Sequence, residues 1–131
     1  MLISTAMNKQ MNEQIGNEFG ASMQYVNIAA YFDGAGLPLL RDHFFKQAEE
    51  ERLHAMKFVR YLLDTGGAVQ IPAIPAPRHK FDSASEAVSL ALEWENTVTR
   101  QITTLMDRAS TEKYFLKVLS RLQIVLQWSI R

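Results

Sequence analysis

Three glutamates and one histidine carry the chemistry legible in this chain: Glu18, Glu51, Glu95 and His54. Each glutamate interrupts an apolar stripe that recurs in alternating steps of four and three, the spacing of one buried helix face. The stripes run Met11, Ile15, Glu18, Ser22, Tyr25, Ala29; then Phe44, Ala48, Glu51, Ala55, Phe58, Leu62; then Ala84, Val88, Ala91, Glu95, Val98, Ile102, Leu105, Ala109. Glutamate is almost never fully buried unless paired. Three uncompensated buried charges would consume most of the ~5–15 kcal/mol that holds a domain together, so a cation has to sit among them. Arg41, Lys46, Arg52, Lys57, Arg60, Arg100 and Arg108 all fall off the stripes and do not supply it. His54 follows Glu51 by three positions on the same face and points to a metal ion instead. Glu-x-x-His joined by glutamates from other helices is the ligand pattern of a carboxylate-bridged di-metal centre in a four-helix bundle. Carboxylates with a neutral imidazole suit iron, manganese or zinc.

The secondary candidates are weaker. Tyr25 shares the seam of Glu18, where its hydroxyl is placed to reach a ligand carboxylate or simply to pack. Glu50 adjoins Glu51 but is rotated away from it, and Glu49 reads as a surface acid. His43 and His79 have no acid at ligand spacing and are expected to be exposed.

Glycine and proline set the elements that must position these groups. The breaks are Asp33-Gly34-Ala35-Gly36-Leu37-Pro38 and a stretch from Thr65 to about Asp82 that holds Pro72, Pro75 and Pro77. They leave helices expected over 5–32, 37–64, 83–110 and, shorter, 114–130, the last with Phe115, Val118, Leu122 and Val125 at core spacing. Pro38 suits a first helical turn, Gly66 a position after a helix end, and Ser83-Ala84-Ser85-Glu86 a capping box. Gly16 and Gly20 are discordant, each costing about 1 kcal/mol relative to alanine in a helix. A short first link makes helices one and two antiparallel, and the long second link can travel the length of the bundle. Glu18 and Glu51 then lie about 25 Å from the first turn, at the same height, with Glu95 near the middle of its own helix. The expected architecture is all-α, one four-helix domain over 1–131 with a single long crossover between helices two and three.

Composition narrows the alternatives. The chain has 131 residues, 14 Lys+Arg against 14 Asp+Glu, and no cysteine. Thiolate metal sites, cysteine nucleophiles and disulfides are excluded, and the zero formal charge lacks the basic footprint of a nucleic-acid binder. No apolar run approaches the ~20 residues of a membrane span, and no signal peptide opens the chain, so no membrane partner and a cytoplasmic location are expected.

The segments Asn12-Glu13-Gln14-Ile15-Gly16-Asn17-Glu18-Phe19, Gln47-Ala48-Glu49-Glu50-Glu51-Arg52-Leu53-His54-Ala55-Met56, Ile71-Pro72-Ala73-Ile74-Pro75-Ala76-Pro77 and Leu92-Glu93-Trp94-Glu95 together resemble the non-haem ferritins of bacteria and archaea over about residues 1–113. The resemblance implies a ferritin-like bundle that binds Fe(II), oxidises it with dioxygen or peroxide at a di-iron ferroxidase centre, and stores ferric mineral in a homo-oligomeric shell of 24 subunits. It implies Glu18, Glu51 and His54 as ligands of the first iron, Glu51 as the bridge and Glu95 as a ligand of the second. Tyr25 matches the tyrosine beside the centre, and Glu50 an acid assigned to a further iron site. Haem-containing bacterioferritins place methionine after the bridging glutamate and a second Glu-x-x-His on the third helix; here those positions are Arg52 and Val98, so no haem is expected.

The C-terminal segment departs from that pattern. No acid follows Glu112, whereas the family's fourth helix carries a glutamine and further glutamates that complete the second iron site. Gln127 stands near the height of that glutamine without a firm match. The segment reads as a truncated or frame-shifted end, which predicts impaired rather than absent ferroxidase activity. The competing expectation is a non-catalytic helical protein, a defective ferritin chain or an interaction module.

Overall fold

The computed structural model describes residues 3–111, and these form three long helices and no strand. α1 spans Thr5–Gly34, α2 Pro38–Asp64 and α3 Ala84–Thr111, within two residues of the boundaries expected from sequence. The fourth helix expected over 114–130 lies outside the described residues. No described helix is long and apolar enough to cross a membrane.

Local chemistry sets each boundary. Ser4 caps α1 by accepting the Met7 amide at 3.0 Å. Gly36 and Gly66 adopt the left-handed conformation, φ 73° and 75°, just past the ends of α1 and α2. There the amides of Leu37 and Gly67 return to the carbonyls of Phe32 and Leu62, satisfying otherwise orphaned acceptors. Pro38 opens α2 at a position where its missing N–H is not needed. At α3 the Ser83 hydroxyl accepts the Glu86 amide, and the Glu86 carboxylate reaches back to the amide of Asp82.

α1 is the central element, packed chiefly on α2 and along its other side on α3. Ser22 stitches α1 to α2 by donating to the Ala48 carbonyl at 2.7 Å. The aromatic rings of Tyr25, Phe32 and Phe44 fill the seam towards the first turn, Phe32 stacking on Phe44 at 5.5 Å. The first two stripes are buried as expected, Ser22 alone being only half-covered. The start of the third is corrected: Ala87 is buried while Val88 is exposed. From Ala84 the helix can step by three or four, and the face turned to α1 takes the step of three.

The proline-rich crossover lies along α1 as an extended strap. Asn12 pairs with both its backbone polar groups, donating to the Ala68 carbonyl at 2.8 Å and accepting the Gln70 amide at 2.6 Å. Gln24 does the same with the carbonyl and amide of Arg78, at 2.8 and 2.9 Å. The strap explains one of the two discordant glycines, Gly16. A Cβ on Gly16 would stand 2.9 Å from the Pro72 ring, and one on Gly20 would touch Ile74 and Trp94 at 3.6 Å.

Candidate metal centre

The shared height of Glu18 and Glu51 is realised. Glu18 projects from α1, Glu51 and His54 from α2, and one ligand-capable atom of each lies within 4.8 Å of the others. Their residual exposures are 0, 5 and 1%, so all three are out of reach of bulk water. His54 Nδ1 stands 3.4 Å from Glu51 Oε2 and 3.9 Å from Glu18 Oε2. Neither oxygen receives a well-formed hydrogen bond. Donors this close to twice a metal–ligand bond of about 2.1 Å, converging from two helices, frame a space that a small divalent cation fits.

The electrostatics favour a cation there. Burial pushes the Glu18 carboxyl well above its ordinary range, Glu51 raises it further by hydrogen bonding and like charge, and the Gln14 hydrogen bond alone acts against this. At Glu51 burial pushes upward too, but the His54 imidazole and Glu18 outweigh it and hold this carboxyl below the usual range. The two carboxyls are thus driven apart in proton affinity, and a cation bound between them would neutralise both. Surface arginines do not intervene: Arg41 pairs with Asp33 and Asp42, Arg52 with Glu49, and Arg78 with Glu86.

Tyr25 and Glu95 flank this group. The Tyr25 phenol is buried and raised far above its ordinary value, first by burial and then by the charges of Glu51, Glu95 and Glu18. All three stripe glutamates thus act on one hydroxyl. Glu95 is half-buried on α3 and stands outside the tight three-residue group; burial and Glu51 raise its carboxyl, and His43 opposes them. His43 is exposed as expected, packed edge-on against Phe44, yet close enough to act on Glu95 across the bundle, a pairing invisible in linear spacing. Glu50 is half-buried and outside the group, and Glu49 is an exposed partner of Arg52.

Sequence reasoning passed over Gln14 as a site residue. Its amide is buried and donates to Glu18 Oε1 at 3.1 Å. The signal was the i, i+4 spacing of Gln14 and Glu18 on one face.

The chain matches the model of the Ferritin-like domain over residues 8–118. It is 49% identical over 112 residues to Ferritin BfrB of Mycobacterium tuberculosis, an alignment covering 86% of this chain and 62% of that protein. With the bacterial non-heme ferritin of Staphylococcus haemolyticus it shares 32% identity over 112 residues, 86% of this chain and 68% of the relative. The open pore ferritin of the archaeon Archaeoglobus fulgidus superposes with a TM-score of 0.91 at 32% identity, over 98% of this chain and 77% of that one. The chain thus spans under two thirds of the mycobacterial relative. Family model, relatives and fold agree with the buried Glu and His donors at mid-bundle: the chain belongs to the ferritin family.

Proposed function

We propose that this chain is an iron-storage subunit that binds Fe(II) within its bundle and oxidises it to Fe(III). The observation that carries the reading is the buried group Glu18, Glu51 and His54, whose ligand atoms converge from two helices. In this reading Glu18 and His54 hold a first ferrous ion, Glu51 bridges, and Glu95 reaches a second from the neighbouring helix. Tyr25, raised and therefore protonated, offers a hydrogen bond to the carboxylates whose charges act on it. Dioxygen would take one electron from each of two ferrous ions, with two protons, and leave as hydrogen peroxide, or peroxide would take the same and leave as two waters, and the ferric product would pass to mineral inside an oligomeric shell. Two ferrous ions bring four positive charges against the three negative charges of Glu18, Glu51 and Glu95, so the second ion is held less tightly than the first. Glu50 is assigned a place near the centre as an acid for a further iron.

The test is anaerobic addition of Fe(II) to the full chain followed by oxygen, with ferric absorbance recorded for the wild type and Glu51→Ala. Loss of the bridging carboxylate is expected to slow oxidation at least about tenfold, the usual scale for removing a group that acts in the chemical step. Equal rates for the two proteins would sink the assigned centre.

A further inference from the structure

The α1 face that carries Glu18 also carries a buried amide without a role in the proposed chemistry. Gln14 lies one helical turn before Glu18 and is 3% exposed, and its Nε2 sits 3.1 Å from Glu18 Oε1. The amide turns its NH2 group towards that oxygen, which accepts the hydrogen bond. The other oxygen, Oε2, is sealed and faces Glu51 and His54, whose Nδ1 is 3.9 Å away. One oxygen of Glu18 is thus engaged and the other is presented.

We infer that Gln14 is a positioning residue that anchors Glu18 Oε1 so that Oε2 is the atom offered to the cation. This rests on the reading of Glu18, Glu51 and His54 as metal ligands. A free glutamate side chain samples several rotamers and can swing either oxygen, or both, towards an ion. The amide removes that freedom by tying one oxygen back along the helix. It also stands as a wall. Gln14 lines a groove of about 460 Å³ between α1 and α3, together with Glu13, Asn17 and Gln101. Gln14, between that groove and Glu18, is itself 3% exposed. Hydrogen-bond partners of ligating carboxylates orient them in this way, and their loss costs about 10–100-fold in metal affinity.

Co(II) is a suitable probe because its visible bands report coordination geometry without any oxidation. The full chain would be titrated with Co(II) anaerobically, by calorimetry and absorbance, as wild type, Gln14→Met, Glu18→Gln and the double variant. Gln14→Met keeps the length and removes the donor; Gln14→Leu is the second choice if the first does not fold. The expected result is about tenfold weaker binding with an altered band shape for Gln14→Met, and no further loss when it is combined with Glu18→Gln. Wild-type binding with an unchanged Gln14→Met, or the same loss whether or not Glu18 is present, would overturn the inference. A wild type that takes up no Co(II) would instead overturn the metal site itself, and the anchoring role with it.

Discussion

Glu18 holds a proton at pH values where an exposed carboxylate would be ionised, because it is buried and shares its space with Glu51. In the unfolded chain the same group titrates in the ordinary range. Between these two values the folded state binds more protons than the unfolded one, so metal-free stability falls as pH rises through the raised value. Glu51, held low, works in the opposite sense and loses its contribution as pH falls through its own depressed value. Glu18→Gln removes the titrating group from the crowded site. It is expected to stabilise the metal-free protein at pH values above the raised one. Denaturant melts at several pH values would check this, and a variant no more stable than the wild type across the range would contradict it. Cation binding must expel the same proton, so Co(II) affinity is expected to rise with pH by up to about tenfold per unit within that window. Calorimetry in buffers of different ionisation enthalpy counts the proton directly.

Helix propensity and packing make opposite demands at Gly16 and agree at Gly20. Alanine in place of a mid-helix glycine gains about 1 kcal/mol from propensity alone. At Gly16 the new methyl would meet the rigid Pro72 ring at 2.9 Å, so Gly16→Ala is expected to destabilise by about 1–3 kcal/mol. At Gly20 the nearest atoms lie at an ordinary 3.6 Å, so Gly20→Ala is expected to be neutral or stabilising by up to about 1 kcal/mol. Urea unfolding of the two variants side by side decides the matter, and equal effects would show that the strap does not constrain α1. The strap is fixed by the amides of Asn12 and Gln24 rather than by its own secondary structure. The sequence marked both glycines as discordant, but a close approach between residues 56 positions apart has no trace in local spacing.

Mineral storage needs an enclosed volume, which one bundle does not possess. Among the described residues Leu39, Leu63 and Leu92 are 85, 62 and 57% exposed. Single exposed apolar side chains are ordinary on a monomer. The storage reading demands association, and light scattering behind size-exclusion chromatography is expected to find an assembly many times the mass of one chain. A soluble monomer would exclude storage while leaving Fe(II) oxidation within the bundle open to its own test.

The helices, their breaks and the acids in their seams were determined by sequence alone, because each follows from short-range rules: periodicity, caps, and the cost of placing glutamate among apolar neighbours. The same rules placed Glu51 and His54 on one face and, through equal distances from a short turn, set Glu18 opposite them. Only the tertiary structure decided how closely the groups converge. It drew Glu18, Glu51 and His54 into one sealed space, left Glu95 half-buried at its edge, chose Ala87 over Val88 for the core, and set Gln14 behind Glu18. These outcomes depend on separations between helices, which differences of an ångström determine and a one-dimensional pattern does not encode.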